Sequence, residues 1–305
     1  MKKILIFIFV IIFCNINAQN VTTSLREEIL NGKIKIIKQK IYMEDKVDTM
    51  LYIFNDLGLL IEEIQFRVHT FYFYNSNNQK IKSISNYLEY GGIESHTNEY
   101  FYEDGTLIKH ILKYPPSTDT ITRFFDYFVT YYKYDFNNQL IEVRKFNKHK
   151  KNKTETFSEH YKYQYDSCGN KTIEEKFDSN GNKLEIIEKK YMNNILLETN
   201  TWMKFEGEDL YLKTIYLYDD NGNLESQIEI VYMYGSKTDI VTQSTTSYFY
   251  DDQQRLIKVI EPWHPNNKIT TYSDFDINDN WLQKIIIDNN GKVKKYTREI
   301  EYFNE

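Results

Sequence analysis

Apolar and polar residues alternate over short segments along most of this chain. A period of two predicts β-strands with two distinct faces. From Asn223 to Tyr234, the residues Leu224, Ser226, Ile228, Ile230, Tyr232 and Tyr234 share one face, and Asn223, Glu225, Gln227, Glu229, Val231 and Met233 share the other. Ile240 to Tyr250 alternates in the same way, with Thr242, Ser244, Thr246, Tyr248 and Tyr250 in one row. Other segments, such as Lys183 to Met192, are mixed. All of them are rich in Tyr, Phe, Ile, Val and Thr, which fit a pleated surface.

A recurring signal punctuates these strands: aromatic, any residue, aromatic, Asp or Asn, a short polar turn, then an aliphatic strand. Its cleanest copy runs from Tyr216 through Tyr218, Asp219, Asp220, Asn221, Gly222 and Asn223 to Leu224. Other copies start at Tyr52, Tyr72, Tyr132, Tyr163 and Tyr248, and recurrence at a spacing of 20 to 32 residues marks a repeat architecture. Asp-Asp-Asn-Gly fits a type I turn, whose Asp bonds its own backbone two residues on. The fourth position then takes a left-handed backbone and forms a bulge. That position holds Gly58, Asn78, Asn138, Gly169, Gly181, Gly222, Asp279 and Gly291, the residue types that tolerate positive φ. Gln254 departs from the rule, and the copy at Tyr102-Glu103-Asp104-Gly105 is one residue short.

Between hairpins the chain returns through longer, variable loops: Tyr90 to Gly92, Tyr114 to Ser117, Asn147 to Thr154, Tyr234 to Ser236 and Pro262 to Asn267. Regular turns on one side and irregular loops on the other predict an all-β fold. The expected form is an extended, twisted antiparallel hairpin meander, its tight turns along one edge, curling into a partial shell or solenoid. A compact two-sheet sandwich is the alternative.

The motif at Tyr216–Leu224, and at Tyr163-Gln164-Tyr165-Asp166-Ser167-Cys168-Gly169-Asn170, resembles the repeat of the YD, or rearrangement-hotspot (RHS), family. Looser copies cover most of the chain after about residue 50. The resemblance implies a wide, curling antiparallel sheet, secretion or surface display, and contact with carbohydrate or cell surfaces. The chain resembles a short secreted member without a toxin domain, so toxin delivery is not carried over.

Met1 to Ala18 has the layout of a secretory signal: Lys2 and Lys3, an apolar run from Ile4 to Phe13, then Ile16-Asn17-Ala18 before Gln19. The apolar run is too short to span a bilayer, and no later segment is apolar enough for a membrane helix. The expected organisation is a signal peptide over 1–18, a lead-in over 19–49 with a short helix at Thr22 to Asn31 and a first strand, and a repeat domain over 50–305. An exported protein follows: extracellular, at the cell surface, or periplasmic. A lipoprotein cleaved before Cys14 is the alternative, although Ile12-Phe13 lacks the small residue such a site needs.

Removing Lys2 and Lys3 takes the net charge from −6 to −8, which argues against nucleic acid as a partner. The basic stretch Lys148 to Lys153 reads as a solvated loop tip. Cys168 is then the only cysteine, so no intrachain disulfide forms and stability rests on the core that stacked repeats share. The 27 tyrosines and 19 phenylalanines accompany abundant Lys, Ile and Asn. Placement of the aromatics therefore carries more information than their number.

The chain shows no catalytic constellation. The six histidines stand at no metal-ligand spacing, and neither a nucleophile elbow nor a glycine-rich phosphate loop is present. No metal and no cofactor is expected. Asp274 to Asn280, Asp178 to Asn182 and Asp219 to Asn223 read as hairpin turns more simply than as calcium loops. A lipid-facing barrel needs strands with one uncharged face. Lys183 to Met192 carries Glu185 and Lys189 on one face and Glu188 and Lys190 on the other, which speaks against it. Trp202 and Trp281 lie on strands and read as core. Trp263, between Pro262 and Pro265, reads equally as core or as exposed. The expected function is a non-catalytic binding or structural surface module. Its candidate contact residues are Trp263, Tyr114 and Tyr234 on the irregular loops, and its candidate partner is polysaccharide or another surface protein. A hydrolase with a carboxylate pair on the sheet is the alternative, as is a purely structural role.

Overall fold

The computed structural model describes residues 30–43, 46–89, 92–114, 125–149, 154–205, 208–233, 235–263 and 266–303. The leader, Cys14 and all of the helix expected at Thr22 to Asn31 except Leu30 and Asn31, which are not helical, fall outside the described residues. So do Tyr234 and most of Lys148 to Lys153.

Among the described residues, twenty antiparallel strands form one sheet. They are β1 (Ile34–Met43), β2 (Lys46–Phe54), β3 (Leu60–Gln65), β4 (Val68–Tyr74), β5 (Lys80–Glu89), β6 (Gly92–Glu103), β7 (Thr106–Lys113), β8 (Phe125–Tyr134), β9 (Leu140–His149) and β10 (Glu155–Tyr165). The second half comprises β11 (Lys171–Phe177), β12 (Lys183–Met192), β13 (Ile195–Phe205), β14 (Glu208–Tyr218), β15 (Leu224–Tyr232), β16 (Ile240–Tyr250), β17 (Leu256–Trp263), β18 (Asn266–Phe275), β19 (Trp281–Asp288) and β20 (Val293–Tyr302). Each strand pairs with its neighbours in sequence, and β1 also pairs with β20, from Ile34↔Tyr302 to Met43↔Lys294. The sheet is therefore a closed cylinder. Twenty strands at ordinary spacing and tilt give a circular barrel about 40 Å across.

Closure corrects the expectation of an open meander, a partial shell or solenoid, and excludes the two-sheet alternative. The reason the sequence hid it is physical. Closure rests on partners such as Gln39 and Arg298, which are 259 residues apart and carry no local signature. The strand expected in the lead-in, β1, is the stave that closes the ring, and β2 likewise begins before residue 50.

The turn chemistry is as the sequence implies. Every fourth-position residue named above has positive φ, including Asn78 (60°), Asn138 (60°) and Asp279 (62°), and Gln254 adopts the same conformation at 66°. In the Asp219 turn, the Gly222 N–H donates to the Asp219 carbonyl at 2.9 Å, and the Asn221 and Asn223 N–H groups donate to Asp219 Oδ1 at 2.9 and 2.8 Å. The short copy becomes a two-residue turn with both Asp104 and Gly105 left-handed, and Asn193-Asn194 makes another. Turns after even-numbered strands, among them those at Asn55, Asn75, Asp135, Asp166, Asp219, Asp251 and Asp276, all lie on one rim. The Asp178 and Asp288 turns follow odd-numbered strands and lie on the opposite rim with the irregular loops.

The paired aromatics explain the repeat. The residue between them is exposed: Phe73, Phe101, Leu217 and Phe249 are 42–45% accessible, whereas Tyr52, Tyr72 and Tyr100 are at most 6%. The tyrosines face inward. The second of each pair reaches the neighbouring hairpin. The hydroxyls of Tyr74, Tyr102, Tyr165, Tyr218 and Tyr250 donate to the carbonyls of Leu60, Lys80, Leu140, Leu196 and Leu224, at 2.7–3.1 Å. A bulge just after each turn, such as that at Leu224, turns the first strand residue inward beside that tyrosine.

Fully buried side chains are few among the described residues, and they are not spread evenly. Ile34, Ile37, Ile41, Met50 and Tyr52 form one cluster at the β1–β2 closure, packed with Tyr296, Ile300 and Tyr302. From β10 to β16 no described side chain is fully buried.

Candidate functional site

Two inward surfaces and two rims are candidates. Near the closure, a polar network crosses the inner wall. Arg298 Nε donates to Gln39 Oε1 at 2.8 Å, and the Arg298 guanidinium lies 3.5 Å from the Trp281 ring centre. The Tyr52 hydroxyl contacts Met50 Sδ and accepts from Gln65 Nε2 at 3.0 Å, while Gln65 also bonds Glu63. Tyr72 donates to Glu63 Oε2 at 2.6 Å. Lys80 occupies a repeat position that holds Leu in most other copies, and its ammonium sits over the rings of Tyr72 and Tyr100 at 5.6 and 4.8 Å. His110 stacks on Tyr100 and bonds Asn98 Oδ1 at 2.9 Å. Burial, then the nearby Lys80 charge, lowers the His110 pKa to about 4 and keeps it neutral. This network is buried and cross-bonded, so it holds the wall in shape.

The inner wall of β13–β16 is different. Thr199, Thr214, Ser244 and Thr246 line it with Tyr216, Tyr248 and Gln227, all half-buried. The Thr199 hydroxyl has no hydrogen-bond partner. Such a wall can offer hydroxyls and ring faces to an extended polar ligand.

Two inward carboxylates of the same half, Glu159 and Glu174, are held by cations, whereas Glu229 accepts from Gln227 Nε2 at 2.8 Å. Burial raises the Glu159 pKa, but hydrogen bonds from Tyr161, Lys176 and Lys145 outweigh it and bring the pKa down to about 2. Glu174 is likewise lowered despite burial, by Lys171 and Lys189. On the outer face, hydrogen bonds from Lys190 and Lys213 hold Glu198 at about 2. A glycosidase acid needs the opposite shift. No group of three or more metal-ligating side chains occurs among the described residues, and no helix among them is long and apolar enough to cross a membrane.

The rims differ in charge. The turns of the regular rim carry ten acids, from Asp56 and Asp104 round to Asp276 and Asp279, against one base, Arg255. Three exposed apolar tips, Leu57, Phe136 and Ile277, also stand there. On the irregular rim, Tyr114 packs edge-on against His96 and Phe128, at 4.6 and 5.7 Å, and His96 meets Tyr87. Burial, and then Tyr114, raise the Tyr87 pKa. Trp263 ends β17 on the same rim, paired with Asn266, half the circumference from Tyr114. Tyr114 and Trp263 thus share a rim but not a patch. The aromatic cluster around Tyr114 was missed in the sequence, because His96 and Phe128 come from strands whose register was not legible.

The other tryptophans divide. Trp281 faces inward under Arg298. Trp202 pairs with Ile186 and Tyr211 on the outer face, opposite the core placement expected for it. Cys168 is exposed at a turn tip.

No family of known proteins matches the sequence, and no characterised protein matches it. Among solved structures, the chain is similar to the Tc holotoxin pore of Photorhabdus luminescens, at 12% identity and a TM-score of 0.34, over 83% of this chain but only 15% of that one. It is also similar to a porin-like protein from Bacteroides uniformis, at 10% identity and a TM-score of 0.36, over 89% and 99% of the two chains. A porin-like protein from Bacteroides vulgatus matches at 8% identity and a TM-score of 0.39, over 89% and 100%. These likenesses are too distant to transfer an activity.

Proposed function

We propose that this chain is an exported, non-catalytic binding or structural module, a closed cylinder of YD-like hairpins that receives an extended polar ligand at its irregular rim. Polysaccharide is the ligand class that fits best, with another surface protein second. One observation carries the reading. The regular rim is fixed by repeated turn chemistry, while the irregular rim gathers Tyr87, His96, Tyr114 and Phe128 into one aromatic cluster. Aromatic faces stack on sugar rings, and loops on a rigid scaffold carry recognition.

The hydrolase reading is the weaker one, since Glu159 and Glu174 are held ionised by lysines. A lipid-embedded barrel also fits poorly. Lys38, Lys40, Glu299, Arg144, Glu188 and Lys190 stand on the outer face, where a membrane barrel needs an apolar band. Export rests on the layout of Met1 to Ala18, and N-terminal sequencing of the mature protein should start near Gln19.

A glycan array tests the ligand. The mature protein should bind extended glycans, and Tyr114→Ala or Trp263→Ala should weaken that binding about tenfold or more, as loss of a stacking contact does. Absence of binding, or equal binding by both variants, leaves a purely structural role.

A further inference from the structure

A closed cylinder has no strand edge wherever each stave is paired on both sides. Pairing does not reach the irregular rim evenly. β16 pairs with β15 from Ile240 to Ser247, but with β17 only from Ser247↔Ile260 to Tyr250↔Leu256. Among the described residues, Ile240 to Thr246 have no register partner on the β17 side. The cause is local. The Asp251 N–H donates to the Arg255 carbonyl at 3.0 Å, so the odd-numbered residues of β16 turn their main-chain groups toward β17. After Ser247 the next such residue is Thr245. The residue in register with it is Pro262, which has no N–H to donate. Gln243 lies beyond, where β17 has already given way to β18 at Trp263↔Asn266. The main-chain groups of Gln243 and Thr245 thus line an edge without a strand partner.

Other overruns on this rim are guarded. Lys46 to Thr49 of β2 carry Lys46 and Asp48, and Glu155 to Glu159 of β10 carry Glu155, Glu159 and a bulge. Along Glu208 to Tyr211 of β14, the Asp209 carbonyl accepts from the Gly235 N–H at 2.9 Å. On β6, Gly92 to His96 overrun β7, whose continuation past Tyr114 lies outside the described residues. Charges, bulges and covering loops are the usual guards of an edge. From Ile240 to Thr246, β16 has no charged residue, and its one bulge, at Val241, is at the far end. Ile240 and Val241 are 55% and 61% accessible.

We infer that this edge docks an extended segment of a partner protein, which adds beside β16 as one further strand. Donors and acceptors repeating every ~7 Å along an edge are the complement of another main chain, not of a sugar or a lipid headgroup. The edge is roughly 20 Å long, room for five or six residues. On the outer side the added strand lies next to Gln243 and Thr245, whose row continues through Ile230 and Ile228. On the inner side it lies next to Ser244 and Thr246, whose row continues through Glu229 and Gln227. The segment that fits is uncharged, β-branched on its outer side and hydroxyl-bearing on its inner side. The inference does not rest on the glycan reading, because it uses main-chain groups of β16 and none of the aromatic cluster at Tyr114.

Hydrogen exchange on the mature protein tests the inference, with the uncharged peptide acetyl-Ser-Val-Thr-Val-Thr-Val-Ser-amide as the probe. In the free protein the Gln243 amide should exchange fast and the Ser244 amide, turned toward β15, slowly. Peptide at about 1 mM, enough to fill a site of ~0.1 mM Kd, should slow the Gln243 amide at least tenfold. Thr245→Pro removes an N–H that faces away from β15 and so keeps that ladder. It should weaken peptide binding tenfold or more with an unchanged circular-dichroism spectrum. If Thr245→Pro fails to fold, Gln243→Pro serves in its place, read by peptide binding. A Gln243 amide already as slow as Ser244 in dilute free protein, no slowing by the peptide, or equal binding by the proline variant overturns the inference. So does protection of Gln243 that grows with protein concentration alone, since a second copy then fills the edge.

Discussion

The arc on either side of the closure and the arc from β10 to β16 use the same repeat and are stabilised differently. At the closure, inward side chains meet one another: Ile37 and Tyr52 are fully buried, and Gln39 and Arg298 are bonded across the seam. From β10 to β16, strand ladders, tyrosine bonds to neighbouring hairpins and lysine–glutamate pairs do the holding, with no fully buried side chain among the described residues. Exposed ion pairs contribute about 0–1 kcal/mol each, whereas a buried aliphatic contributes several times more. A repeat sheet can thus concentrate its packing energy where the chain ends must be held and leave the rest of the wall thin.

The strongest way to break this comparison is a matched pair of truncations. Ile37→Ala removes a fully buried side chain and should cost about 2–5 kcal/mol, while Ile187→Ala, facing inward from β12 but only half-buried, should cost less than half as much. Equal losses in chemical denaturation would erase the distinction between the arcs.

A second probe acts at the rim of the seam. Gly32 has φ +86°, and a Cβ there would meet the Tyr302 ring at 2.8 Å. Beside it, the Asn31 N–H donates to Asn280 Oδ1, Asn280 Nδ2 donates to the Asn31 carbonyl, both at 2.8 Å, and the Tyr302 hydroxyl bonds Asp276. Gly32→Ala should therefore destabilise by about 1–3 kcal/mol. Gly222→Ala, with open space around it, should show only the backbone part of that cost. A thermal melt of each variant decides this.

Acid should weaken the two arcs in different pH windows. His110 has a folded pKa of about 4, below its ordinary 6.5, so the unfolded chain takes up its proton first and stability is lost as pH falls from about 6.5 to 4. Glu159 and Glu198 sit at about 2, below 4.5, so their contribution is present above pH 4.5 and lost as pH falls toward 2. Denaturation midpoints across this range should show His110→Gln flattening the upper window only, and Glu159→Gln the lower only.

How much of this was legible in the sequence depends on range. Turn type, the left-handed fourth position and the alignment of the Asp135, Asp166, Asp219 and Asp251 turns on one rim are local, and Tyr-x-Tyr-Asp-x-x-Gly spells them out. The tyrosine bond to a neighbouring hairpin explains why the motif needs its second aromatic, but that bond is visible only once strands are placed. Closure was not legible, because β1 lacks the motif and its partner β20 is the last strand. The sequence also showed which residues of β15 share a face, except that the bulge turns Leu224 to the other side. It did not show that the isoleucines face outward, since hydrophobic alternation alone does not tell the inside of a hollow cylinder from its outside. Of the candidate contact residues, only Tyr114 has a described side-chain environment.

The smallest expected effect sharpens the role of the repeat. Tyr218→Phe removes one hydroxyl bond to Leu196 at 2.9 Å and should cost about 0.5–1.5 kcal/mol. A neutral result, read by hydrogen exchange at the β12–β13 turn beside Leu196, would assign the second tyrosine to packing alone.

Closure of the ring is the central claim, and one cross-link tests it directly. Lys38 and Glu299 are register partners on the outer faces of β1 and β20. In a Cys168→Ser background, Lys38→Cys with Glu299→Cys should form an intramolecular disulfide on mild oxidation, because directly opposed residues hold their Cβ atoms within about 5.5 Å. The product should run as one chain with altered mobility that reduction restores. If the two thiols stay free in the monomer, β1 and β20 are separate edges of an open sheet, and the cylinder is contradicted.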